Sequence, residues 1–164
     1  MILDSGDRTE YSTGAVRDMK KGKGRVDLMP LDVISDLLDL KFFKCMEEFK
    51  NNQDDTTPLF EILEEYSYML DKLNIFSHDK DKLLANMLLE VSKHFEEGAL
   101  KYGEDNWKKG IEVKSYIDSA CRHFLKYLRG DNDESHERAC MWNIICLIWT
   151  VKNKEKLGMI NKNG

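Results

Sequence analysis

From Ala139 to Val151 the sequence reads ACMWNIICLIWTV, apolar on nearly every side of a helix and interrupted at its middle by Asn143. A helix that is apolar all round must be covered all round, and this one is too short to cross a bilayer. It therefore demands a wrapping of other helices. The rest of the chain is suited to supply them: 164 residues contain only 2 Pro and 10 Gly, against 41% apolar and 34% charged residues. That balance fits long helices with charged outer faces. The expected fold is all-α, a bundle of about five helices behind an irregular N-terminal segment.

Apolar residues at helical spacing, Val33, Ile34, Leu37, Leu38, Leu40, Phe43 and Met46, predict one helix over 31–50. Pro58 opens a second, running to about Leu73. A third is predicted from Asp79 to Tyr102, with a core stripe of Leu84, Leu88, Val91, Phe95 and Gly98 and a stop at Gly103. The loop GEDNWKKGIEVK follows, anchored by Trp107. The fourth helix, 115–129, carries two stripes: Ile117, Cys121, Phe124 and Leu128, then Tyr116, Ala120, His123 and Tyr127. A monomer would expose the second stripe, so a homodimer or homotetramer is expected. The fifth helix, 134–152, is the buried one. Three parts result: a Gly/basic segment over 1–30, a two-helix unit over 31–77, and a helical core over 78–164 that holds the candidate site.

The formal charge of −5 argues against a nucleic-acid-binding module, although it leaves a nucleotide open as ligand. The start, MILDSGDRTEYST, has no apolar stretch of the kind a signal peptide needs, and no membrane contact is expected. The four cysteines form no CxxC and read as small core residues of a reducing compartment, which points to the cytoplasm, the host's if the protein is viral.

Four groups of residues are candidates for chemistry. Glu90, His94, Glu97 and Lys101 share one helix flank, which suits either metal or phosphate binding or a solvated edge with i,i+4 pairing. Asp118 and Arg122, one turn apart, suit a metal-and-phosphate pair or a simple intrahelical salt bridge. Asp131, Asp133, Glu134 and His136 precede the buried helix, where an aspartate makes an ordinary N-cap. His136 and Asn143 share a face of that helix. A buried carboxamide without partners costs on the order of 1–3 kcal/mol, so Asn143 needs a polar group, a water or a ligand. Finally, Arg17, Lys20, Lys21, Lys23 and Arg25 are interleaved with glycines, a pattern of either an anion-binding loop or a loose basic arm.

Three stretches carry a resemblance: STGAVRD…GKGRVDLMP over Ser12–Pro30, GALKYGEDNWKKGI over Gly98–Ile111, and DSACRHFLKYLRGD…H…WN from Asp118 to Asn143. As a set they resemble the phage-associated family named for the N-terminal domain of dATP/dGTP diphosphohydrolase, near the all-α MazG-like nucleoside triphosphate pyrophosphatases. The resemblance implies hydrolysis of a purine deoxynucleoside triphosphate to the monophosphate and pyrophosphate, with Mg²⁺ or Mn²⁺ held by carboxylates. It further implies Glu97, Asp118 and Asp133 as metal ligands and Lys101 and Arg122 on phosphate. His123 and His136 join the catalytic set, His136 as ligand or proton carrier. Tyr102, Asn106, Trp107, Asn143, Lys23 and Arg25 would contact substrate. Two features depart from the pattern. Leu100 stands where the EExxE motif of the MazG group has its third glutamate, and residues 31–79 are an insertion relative to the family. The departures motivate two other readings: a non-catalytic nucleotide-binding or host-interaction protein, and a purely structural oligomerisation module.

Overall fold

The computed structural model describes residues 6–18, 22–71 and 79–159. Two short strands, β1 (Arg8–Glu10) and β2 (Val16–Asp18), form an antiparallel hairpin in which Thr9 faces Arg17. Among the described residues six helices follow: α1 (Leu31–Leu38), α2 (Lys41–Asn51), α3 (Thr57–Glu65), α4 (Lys80–Tyr102), α5 (Val113–Arg129) and α6 (His136–Lys152). The all-α expectation holds, with the hairpin as an addition to it. Short 3₁₀ turns at Val26–Leu28, Ser67–Leu70 and Asn106–Lys109 complete the chain's path.

Helix α6 is the centre, as its composition requires. Cys140, Met141, Asn143, Ile144, Cys146, Leu147 and Thr150 are all buried, and α5 runs along it as its main neighbour. The far side of α5 is closed by an aromatic cluster. The Phe42 and Phe124 rings stack at 4.0 Å, with Phe43 and Tyr66 set edge-on around them. The Tyr66 hydroxyl also accepts a hydrogen bond from the Phe42 backbone N–H (3.0 Å), satisfying a donor in the first turn of α2. One apolar core thus runs from Tyr11 in the hairpin to Val151, drawing on all three parts of the sequence. The four cysteines are buried free thiols within it.

Several element boundaries differ from expectation. The helix over 31–50 is two helices, because Asp39 adopts a left-handed conformation (φ 51°) and Leu40 is extended. The second helix ends at Glu65 and continues as a 3₁₀ turn; its expected end at Leu73 lies outside the described residues. In α4 the buried positions are Met87 and Val91, whereas Leu88 is exposed. Helix α6 begins at His136 behind Ser135, and neither Asp131 nor Asp133 caps it: the first pairs with Arg129 and the second with His136. Gly103 stops α4 as expected.

The 3.6-residue rule did identify the two stripes of α5, but apart from the exposed Leu128 they are largely covered within one chain. Tyr116 is fully buried against Trp142 and the Arg17 guanidinium, and His123 packs on His136. The second stripe, with Tyr127 half-buried at its end, is thus largely covered without a second copy of the chain. Among the described residues no helix is long and apolar enough to cross a membrane.

Candidate functional site

The N-terminal segment is built into the bundle rather than trailing from it. Gly14 (φ 80°) turns the hairpin, a conformation that glycine adopts without steric cost. The Tyr11 hydroxyl bonds Ser115 Oγ (2.9 Å), and Thr13 Oγ1 donates to the Gly110 carbonyl (2.6 Å). Asn106 serves as a surrogate strand for β2: its Oδ1 accepts from the Val16 N–H (3.0 Å) and its Nδ2 donates to the Val16 carbonyl (2.9 Å). The GKGR turn leads into the 3₁₀ turn at Val26, whose N–H donates to the buried Asp118 carboxylate (2.8 Å).

Between this segment, α4, α5 and the start of α6 lies a cleft of about 970 Å³, at the upper end of the size range of small-molecule sites. One group of its lining is aromatic. The Trp142 ring lies 5.3 Å from His94 and 5.8 Å from Phe95, which in turn packs edge-on to Trp107. Another is ionic: Lys23, Arg122 and Lys126 together with Asp133, Glu134 and His123.

The site electrostatics follow from burial. Desolvation lowers the Lys23 ammonium below its ordinary pKa, with Arg122 and Lys101 adding to the effect and Asp18 and Glu134 opposing it. Burial also raises the Glu134 carboxyl, and it holds His123 well below the ordinary imidazole range, reinforced by Arg122 and His136. His94 is pushed down to about 3 by burial and by the nearby Arg138 and Arg17. The hydrogen bond from His136 keeps Asp133 low. The cleft therefore offers neutral imidazoles beside fixed cations at neutral pH.

The sequence-predicted residues divide. Lys23, Tyr102, Asn106, Trp107, Arg122, His123, Asp133 and Asn143 line the cleft. Asn106, however, is used at both ends on Val16. Tyr102 donates to Asp18 (2.7 Å), and Lys101, expected on phosphate, holds the same carboxylate at 3.0 Å. Arg25 pairs with Asp27 outside the cleft lining, and Lys20 and Lys21 lie outside the described residues. Asn143 finds its partners in the Ala139 carbonyl and, through Oδ1, in Arg17 Nη2 (2.8 Å). Arg17 then lies over the Tyr116 and Trp142 rings.

Of the three expected metal ligands, Asp118 is occupied by the Val26 N–H and Arg122, and Glu97 lies 3.7 Å from Arg138. Asp133 alone joins a cluster of ligand-type atoms. Among the described residues such clusters are His123–Glu134–His136 and Asp131–Asp133–His136, each with its atoms within 4.8 Å of one another. Sequence reasoning missed Asp18 and the part that Arg17 and Trp142 play. Asp18 and Arg17 stand in the very GAVRD stretch that carried the resemblance, so the signal was present without a role attached to it.

The fold is thus a helical bundle with a charged, aromatic-walled cleft. More specifically, the chain belongs to the family described as dATP/dGTP diphosphohydrolase, N-terminal, whose model matches residues 75–159, just over half of the sequence. The match takes in the stretches Gly98–Ile111 and Asp118–Asn143, while Ser12–Pro30 and helices α1, α2 and α3 lie outside it. No curated protein and no solved structure matches the chain.

Proposed function

We propose that the cleft binds a purine deoxynucleoside triphosphate and hydrolyses it to the monophosphate and pyrophosphate, in the nucleotide pool of a phage-infected cell. The observation that carries this reading is the juxtaposition, in one cleft, of four cations with carboxylates, imidazoles and an aromatic wall. Lys23, Arg122 and Lys126 meet the phosphates, and Arg122 is already oriented by Asp118 and Ser119. The base stacks on the wall formed by Trp142, Phe95 and His94, with Trp142 backed by Arg17 on Asn143. The purine preference follows the family's description.

The Mg²⁺ or Mn²⁺ that such chemistry uses fits the carboxylates of Asp133 and Glu134, which line the cleft, better than Glu97 and Asp118, which do not line it, Asp118 being fully buried on the Val26 N–H and Arg122. When bound, the ion neutralises charge on the phosphates and favours attack by water. The protein's own part is positional: cations fix the phosphates, the wall fixes the base, and the two carboxylates define where reaction occurs.

Incubation of the purified protein with each dNTP and Mg²⁺ or Mn²⁺ should release pyrophosphate, with dATP and dGTP fastest. Glu134→Gln should lower the rate at least about 100-fold. Absence of pyrophosphate above that variant's level removes the hydrolytic reading. A second reading, nucleotide binding without turnover, is favoured by the engagement of Glu97 and Asp118 in ion pairs. It predicts that dATP raises Tm while no product forms.

A further inference from the structure

The pair of histidines behind the ionic part of the cleft forms, with one carboxylate, a compact group of ligand-type atoms. Imidazoles on two different helices, His123 on α5 and His136 on α6, point the same ring atom at each other, Nδ1 to Nδ1 at 3.0 Å. A single oxygen of Glu134, Oε1, lies 3.6 Å from His123 Nδ1 and 3.5 Å from His136 Nδ1. The three atoms form a triangle with edges of 3.0, 3.5 and 3.6 Å. Ligands at the roughly 2.0–2.1 Å of zinc–nitrogen and zinc–oxygen bonds, arranged tetrahedrally, stand about 3.3–3.4 Å apart. The observed edges bracket that value.

The surroundings of the triangle have the form of a built ligand set. The other nitrogen of His136, Nε2, lies 2.7 Å from Asp133 Oδ1, and in the tautomer that donates there Nδ1 presents a lone pair to the triangle. A carboxylate behind a ligating imidazole is the usual arrangement for fixing its ring and tautomer. His136 is fully buried, and the His123 and Glu134 side chains are only 15% and 14% exposed. Both of the latter line the cleft, so coordination positions remain open on that side.

We propose that His123, Glu134 and His136 bind one borderline transition-metal ion, of the Zn²⁺, Co²⁺ or Mn²⁺ class, in the absence of nucleotide, with Asp133 as the positioning residue. Two imidazoles and one carboxylate favour such ions over Mg²⁺, which takes oxygen ligands. The ligand set shares Glu134 and Asp133 with the metal position proposed above and so deepens that reading, adding two imidazoles and binding of the ion without substrate. The neighbouring cluster of Asp131, Asp133 and His136 is the competing location. There, though, Asp131 is engaged by Arg129, and His136 would have to ligate through the nitrogen that now donates to Asp133.

The test begins with chelator-stripped full-length protein and uses no nucleotide, so its failure is distinct from a failure of hydrolysis. Titration with Co²⁺, followed by visible absorption and calorimetry, should show one ion per chain with the d–d bands of a low-coordinate site. Zn²⁺ should displace it and raise Tm, and Mg²⁺ at the same concentration should do neither. Glu134→Gln, which keeps shape and is expected to fold, should weaken binding at least tenfold. Asp133→Asn should weaken it about 10- to 100-fold, and Asp131→Asn should leave it unchanged. Absence of stoichiometric Co²⁺ binding overturns the proposal. So does equal stabilisation by Mg²⁺, or a loss with Asp131→Asn that matches that of Glu134→Gln.

Discussion

Asn143 shows how far a single residue could be read. A carboxamide in an apolar helix announced a buried polar partner, but no periodicity could say which, because Arg17 stands 126 positions away. The consequence is energetic. Asn143→Leu should remove the acceptor from a guanidinium packed on Tyr116 and Trp142, and lower stability by about 1.5–3 kcal/mol in urea unfolding. His94 makes a second residue-scale prediction. Folded, it stays neutral down to about pH 3; unfolded, it titrates at its ordinary 6.5. Between those values the unfolded chain binds the extra proton, so the stability is full above 6.5 and is lost as pH falls. His123 acts in the same direction, while Glu134, raised by burial, opposes them above its ordinary 4.5. His94→Phe should therefore flatten the stability–pH curve by up to about 1.4 kcal/mol per pH unit between about pH 4 and 6.

At the scale of elements, the long helices were legible because their apolar spacing is imposed by burial against one another. The break at Asp39 was not, since Asp39 and Leu40 sit within an unbroken helical pattern and only tertiary packing chooses between kink and continuation. The hairpin escaped for a related reason. Three-residue strands carry too little alternation to register, and β2 is completed by a side chain, Asn106, instead of a third strand. Asp118 illustrates a site residue whose spacing suggested chemistry and whose structure shows a structural duty. It is fully buried, neutralised by Arg122 and tied to the Val26 N–H. Asp118→Ala should cost about 3 kcal/mol by stranding those partners, and a lower melting temperature should accompany any loss of activity.

For the whole molecule, a net charge of −5 coexists with a cleft that sets four cations among five carboxylates, a clustering that composition alone does not reveal. Lys23 is the cation best suited to isolate it, because the residue is exposed overall on the glycine turn while its ammonium is partly desolvated at the cleft. Lys23→Ala should weaken triphosphate binding about tenfold by calorimetry, more at low salt than at high, with Tm nearly unchanged. The struts that bind the N-terminal segment to the bundle span 90 residues at Val16–Asn106, 92 at Val26–Asp118, 104 at Tyr11–Ser115 and 126 at Arg17–Asn143. Local helical contacts form early and such distant ones late, so the first residues synthesised are among the last to find their places. Tyr11→Phe should accordingly speed unfolding in stopped-flow measurements while leaving the refolding rate almost untouched.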